Sequence, residues 1–219
     1  MQNTNLLTNK DNKTAFIPYL VAGHTSNEVF SSALKLLNDV GADLIEIGIP
    51  FTDPIAEGKI IESAHHHALK HDFVLDDICK IVKEFRTYSD TPVIAMGYTN
   101  SFINPSSEHI ATYLSESGFN GVLIVDLPAS EKSIINSFKD KQLNLVQLIA
   151  PTTQLSLIED FLANDPALIY YITQRGITGS NNLNLEEISE KLGAIKKLSK
   201  KPVVTGFGIK TVEDVENLK

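Results

Sequence analysis

The residues best placed to do chemistry lie in one short stretch. In Asp43-Leu44-Ile45-Glu46-Ile47-Gly48-Ile49 a carboxylate sits in the middle of an apolar run. With a strand's side-chain period of two, Ile45, Ile47 and Ile49 share one face, and Leu44, Glu46 and Gly48 the other. The isoleucine face suits packing against helices, which turns Glu46 toward an interior. Burial there disfavours the charged form and raises the carboxyl's pKa, so the group can both give and take a proton near neutrality. The alternative is a strand glutamate paired with an Arg or Lys for structure. Residues 50–59 then form a loop with two more carboxylates. Asp53, ahead of Pro54, suits fixing the loop or capping the next helix. Glu57 leaves the same strand end as Glu46, so it either folds a second carboxylate over the same cavity or stands in solvent.

Two small-residue loops point to a second kind of chemistry. Arg175-Gly176-Ile177-Thr178-Gly179-Ser180 and Gly206-Phe207-Gly208 follow successive strands, and exposed backbone N–H groups in such loops can cradle a phosphate. Turning the chain is their other use. His65, His66 and His67 invite a metal reading. On a helix, however, successive side chains diverge by about 100° and do not converge on one ion. His67 and His71 share a face without a third ligand at a suitable spacing, so a solvated or half-buried helix face is expected and no metal. His24 and His109 fall in expected loops without an identifiable partner. No Ser/His/Asp signature, P-loop or Rossmann fingerprint is present.

Elements that position these residues follow from periodicity. Seven short aliphatic runs, at 16–21, 43–49, 92–98, 121–125, 145–149, 168–173 and 202–205, read as strands. Between them apolar residues recur three and four apart, as at Val29, Ala33, Leu36, Leu37 and Val40, or Ile78, Ile81, Val82 and Phe85. Gly41 and Gly118 stand where helices should stop ahead of a strand. A repeated βα order implies a parallel sheet covered by helices. Seven units without a Gly-x-Gly-x-x-Gly opening favour a TIM (β/α)8 barrel over a doubly wound dinucleotide fold. The chain reads as one domain, with residues 1–14 a polar N-terminal segment. The sequence stops within the helix after strand seven, so the eighth βα unit is expected to be missing.

Composition narrows the function. The 219 residues are 42% hydrophobic, enough for a sizeable core. With 27 acidic and 19 basic side chains the formal charge is −8, which argues against a nucleic-acid partner. No apolar run reaches the roughly 20 residues that span a bilayer, and no signal peptide is evident, so a cytoplasmic protein is expected. The single cysteine, Cys79, excludes an internal disulfide and a Cys-based zinc site.

Six motifs occur in an order that resembles one family. They are Pro18-Tyr19-Leu20-Val21-Ala22-Gly23, Ile45-Glu46-Ile47-Gly48-Ile49-Pro50-Phe51-Thr52-Asp53-Pro54, Val125-Asp126-Leu127-Pro128, Ala150-Pro151-Thr152-Thr153, Gly176-Ile177-Thr178-Gly179 and Gly206-Phe207-Gly208. Together they resemble the tryptophan synthase α subunit from about Phe16 to the end of the chain. The resemblance implies a TIM barrel that splits indole-3-glycerol phosphate into indole and glyceraldehyde 3-phosphate by retro-aldol cleavage, without a cofactor of its own. It implies Glu46 as the proton-transferring glutamate and Tyr170 as a tyrosine beside it. Glu57 stands where the family carries an aspartate that stabilises charge at the indole N–H, and Lys59 where it carries a proline. Glu57 is one methylene longer, and Lys59 is a cation able to pair with it. Tyr19, Tyr98, Leu123, Val125, Ile149 and Phe207 match positions lining the indole slot, and ordinary barrel core is their other reading. Gly179 and Gly208 match phosphate-loop positions, and Thr178 a lid threonine. The family works as an α2β2 assembly with a β subunit that carries pyridoxal phosphate, and the lid and the 51–59 loop are expected to order on assembly. Two other functions remain open: a catalytically weak regulatory subunit, or another phosphate-binding barrel such as an epimerase.

Overall fold

The computed structural model describes residues 6–7, 14–71, 74–172, 185–206 and 211–217. Strand and helix alternate as the periodicity predicts. In chain order they are β1 (Tyr19–Val21), α1 (Asn27–Asp39), β2 (Ile45–Gly48), α2 (Lys59–Leu69), α3 (Leu75–Phe85), β3 (Val93–Gly97), α4 (Thr99–Phe102) and α5 (Ser107–Glu116). They continue with β4 (Gly121–Ile124), α6 (Lys132–Asp140), β5 (Asn144–Ile149), α7 (Leu155–Leu162), β6 (Leu168–Ile172), α8 (Leu185–Leu198), β7 (Val203–Gly206) and α9 (Val212–Asn217). All seven expected strands form, with differences only at their ends. They pair in parallel in the order β1 to β7, each beside its sequence neighbour. This is the curled parallel sheet of a TIM-type α/β fold, with β1 and β7 as its edges among the described residues.

Strand parity sorts the core into two layers. On the helix side, Ile45, Ile47, Val93, Ala95 and Val122 pack with Phe30, Leu34, Ile78, Val82 and Phe85 from the helices. On the inner side, Leu44, Ile94, Met96, Leu123, Val146 and Leu168 form a second cluster, joined by Tyr19, Val125, Leu148, Tyr170 and Val204. Each such large apolar side chain, once fully buried, contributes about 1.5–3 kcal/mol. Leu6, from the polar N-terminal segment, is buried in the inner cluster.

Three local expectations are corrected. In α1 the buried stripe is Phe30 and Leu34 with Leu37 beside them, while Val29, Leu36 and Val40 are exposed. The sequence carries two overlapping apolar stripes, and the one holding the large aromatic takes the sheet. His109 lies in the first turn of α5, where Ser106 caps the helix through its backbone N–H. Gly58, not Asp53, occupies the N-cap of α2, and Asp53 is exposed. Gly41 and Gly118 end their helices at φ +84° and +94°, where a side chain would be strained.

At the N-terminal end of the strands Arg86 fastens three turns together. Its guanidinium donates to the carbonyls of Gly118 (2.7 Å), Ser89 (3.2 Å) and Thr91 (2.7 Å) and to Asn120 Oδ1 (2.6 Å). Asn120 Oδ1 also accepts from Val93 N–H, so this end of β3 and β4 is held by satisfied polar groups.

Candidate active site

Glu46 lies on the inner face of β2, in register between Tyr19 of β1 and Ile94 of β3. It is 2% exposed, and its Oε1 has no hydrogen-bond partner. Among the described residues no cation offsets it. Burial alone pushes its carboxyl up to about 8, from an ordinary value of 4.5. Of the two readings open to a strand glutamate, the ion-paired one is not the arrangement found.

Two tyrosines flank this carboxyl, each seated over a glycine. A Cβ on Gly48 would lie 2.2 Å from the Tyr19 hydroxyl, and one on Gly206 would lie 1.8 Å from the Tyr170 hydroxyl. Neither strand end therefore tolerates a side chain while its tyrosine crosses it. Burial raises the Tyr170 hydroxyl well above its ordinary range, and the charge of Glu46 adds to the effect. The Tyr19 hydroxyl is raised first by burial, then by Glu57 and Glu46. Two buried carboxylates and two phenols thus act on one another at this end of the sheet.

Glu57 reaches the same space from the β2–α2 loop. It is 4% exposed, which removes the solvated-loop reading, and it accepts a short hydrogen bond from the Tyr98 hydroxyl at Oε2. That hydroxyl oxygen accepts in turn from Ala56 N–H at 2.9 Å, and the Tyr98 ring stacks on Phe51 at 4.8 Å between centroids. Burial raises the Glu57 pKa, while the Tyr98 hydroxyl pulls it down. Lys59 is not the partner expected for Glu57. As the first residue of α2 it points to solvent, lining a surface groove with Glu62, Ser63, His66, His67 and Lys70.

Leu123 and Val125 belong to the inner cluster, at the end of β4. Ile149, matched to the indole slot, does not. Its parity on β5 sends it outward against Ile158, Ile169, Tyr171 and Ile188, and Leu148 takes the inner position. Thr178, Gly179, Phe207 and Gly208 lie outside the described residues. Other quoted motif residues serve the loops: Asp126 Oδ1 accepts from Thr99 N–H (2.7 Å) and Oγ1 (2.8 Å), and Thr153 Oγ1 accepts from Ala150 N–H (3.0 Å).

The three histidines of α2 fan out as helical geometry requires, but the expected solvated or half-buried face holds for only two of them, since His65 is fully buried. His66 Nε2 donates to Thr52 O at 3.1 Å and His67 Nδ1 to His24 O at 3.0 Å, both at the surface. His67 also meets the rings of His24 and His71, so His24 has the partner its sequence context did not reveal. His65 is 1% exposed and turned inward, with Nδ1 accepting from Phe51 N–H and Nε2 3.2 Å from the Tyr19 hydroxyl. Its inward turn was legible only in part, since Ala64 and Ala68 beside it mark the buried stripe of α2. Among the described residues no group of three His, Cys, Asp or Glu side chains is arranged to hold a metal ion.

Comparison with known proteins gives this geometry its family. The model of the tryptophan synthase alpha chain matches residues 6–219. This chain belongs to the tryptophan synthase alpha chain family. It is 39% identical over 203 residues to the alpha chain of Marinobacter nauticus, covering 92% of this chain and 75% of that relative. The alpha chain of Thiobacillus denitrificans is 36% identical over 207 residues, covering 94% and 76%. Among solved structures, a chain of the tryptophan synthase α2β2 complex from Pyrococcus furiosus superposes with a TM-score of 0.85 at 33% identity, covering 93% of this chain and 82% of that one. The alpha subunit of Legionella pneumophila gives 0.85 at 33%, covering 95% and 78%. As a tryptophan synthase alpha chain the protein is an enzyme of tryptophan biosynthesis. Among the described residues no helix is long and apolar enough to cross a membrane.

Proposed function

We propose that this chain is a carbon–carbon lyase that cleaves indole-3-glycerol phosphate to indole and glyceraldehyde 3-phosphate. The observation that carries the proposal is Glu46, a buried carboxyl with no counter-ion among the described residues, whose protonated form is favoured to about pH 8. In its acid form it donates a proton to indole carbon 3, giving the indolenine tautomer. Glu46, now a carboxylate, takes the proton of the adjacent glycerol hydroxyl, whose oxygen becomes the aldehyde carbonyl. The carbon–carbon bond breaks, and its electron pair returns to the ring to restore indole. Glu57 serves as the anion facing the indole N–H, where positive charge develops. Burial raises its pKa, and the hydrogen bond from Tyr98 supports this role by offsetting part of that rise. Tyr19, Tyr98, Leu123 and Val125 supply the apolar walls of the slot, and Tyr170 stands beside Glu46. Phosphate binding is assigned to Gly179 and Gly208, closure over the site to the lid threonine Thr178, and Phe207 to the indole slot.

The reading requires no cofactor on this chain and assigns pyridoxal phosphate to a β subunit, with which the chain forms a cytoplasmic α2β2 assembly. The solved Pyrococcus furiosus α2β2 complex supports that partner. The test is indole release from indole-3-glycerol phosphate, measured with and without a β subunit. Turnover that rises with the partner and vanishes in Glu46→Gln is expected. No indole release even with the partner would reject the lyase.

A further inference from the structure

His65 sits between the two halves of the site, and its hydrogen bonds specify its proton. The Phe51 amide has one proton and gives it to Nδ1 at 3.2 Å, so Nδ1 must carry a lone pair. Burial keeps the ring neutral by lowering its pKa to about 4. A neutral imidazole with a bare Nδ1 has its proton on Nε2, and Nε2 lies 3.2 Å from the Tyr19 hydroxyl oxygen. That oxygen therefore accepts from His65, and the phenolic proton is not taken up by the imidazole. Glu46 Oε1 and Glu57 Oε1 are buried and unpartnered, and the charges of both carboxylates are felt at the Tyr19 hydroxyl. The Phe51 amide belongs to the other half of the site. Its ring stacks on Tyr98, the residue that holds Glu57.

We propose that His65 is a positioning residue: as the Nε2–H tautomer it donates to the Tyr19 hydroxyl and so leaves the single phenolic proton free to turn to one carboxylate of the site, Glu46 once it is ionised, and by accepting from Phe51 N–H it fixes the loop that carries Glu57. Its service to the reaction falls at one moment. When Glu46 has given up its proton, a buried anion is created, and a phenolic proton that His65 has left uncommitted is available to stabilise it. The proposal rests on the lyase reading for its kinetic consequence but not for its tautomer.

Three substitutions, assayed in the full chain with its β subunit, separate the two contacts. In His65→Gln the amide nitrogen overlays Nε2 and keeps the donor to Tyr19. In His65→Asn the amide oxygen overlays Nδ1 and keeps only the acceptor for Phe51. His65→Leu keeps neither. We expect kcat within about threefold of the parent for Gln, about tenfold lower for Asn with KM nearly unchanged, and lower again for Leu. Equal kcat in Gln and Asn, or a loss of thermal stability with kcat intact in all three, would overturn the proposal. Two-bond 1H–15N correlations of the parent protein read the tautomer directly. A protonated Nε2 and bare Nδ1 between about pH 6 and pH 8 are expected. The opposite tautomer, or a doubly protonated ring at pH 6, would refute the inference. An absence of indole release from the parent would reject the lyase reading alone, leaving the tautomer to decide this one.

Discussion

The two ends of the sheet treat buried polar groups in opposite ways. At the N-terminal end, Arg86 donates to four acceptors, one of them the Asn120 oxygen that also receives Val93 N–H. At the C-terminal end, Glu46 and Glu57 each keep a buried oxygen without a partner. Satisfied groups lower the free energy of the fold, whereas orphaned ones raise it and persist where a ligand or a proton will complete them. The difference assigns stability to one end and chemistry to the other, as the parallel barrel architecture generally does.

The sharpest way to break this comparison is Glu46→Gln, which keeps size and polarity but cannot transfer a proton. Turnover of indole-3-glycerol phosphate should fall by about 10²–10⁴-fold while far-ultraviolet circular dichroism stays that of the parent. The converse substitution, Arg86→Met, should lower unfolding free energy by about 3 kcal/mol in urea titrations and leave kcat per folded molecule unchanged. If it instead abolished turnover at full folding, the division between the two ends would be wrong.

A third prediction concerns pH. Between 4.5 and about 8 the unfolded chain has released the Glu46 proton while the folded chain keeps it. The native state binds more protons in that window, so this group's contribution to stability declines as pH rises through it. Glu46→Gln lacks the proton, so thermal melts should show the variant gaining on the parent from about pH 5 to pH 8, by on the order of a few kcal/mol. The smallest effect is expected from Tyr98→Phe, which removes the donor to Glu57 and should lower kcat by about tenfold or less, with the stacking on Phe51 retained.

How much of this was legible in the sequence depended on whether parity or burial decided the outcome. The seven strands and the inward turn of Glu46 follow from a period of two and an isoleucine face, and those signals are local. Parity on β5 would equally have placed Ile149 outside, where it packs in the helix-side layer. Matching motif positions one by one passes over that geometry. The α1 stripe was ambiguous because two apolar sets overlap on one helix. Least legible was the support of the site. Gly48 and Gly206 are required by tyrosines that cross from the neighbouring strands, and His65 by a hydroxyl 46 residues away in the chain. Contacts of that range leave no periodicity to read. The Tyr98 clamp on Glu57 is of the same kind: folding in beside Glu46, standing in solvent and pairing with Lys59 were all open, and a residue 41 positions distant decided for the first.

The central claim is that an unpaired carboxyl in the inner layer carries the proton, and the most direct measurement is a 13C titration of the Glu46 side-chain carboxyl, assigned by its loss in Glu46→Gln. The account predicts a midpoint raised to about 8. A midpoint in the ordinary carboxylate range would mean that the group is ionised at neutral pH and cannot be the acid that protonates indole.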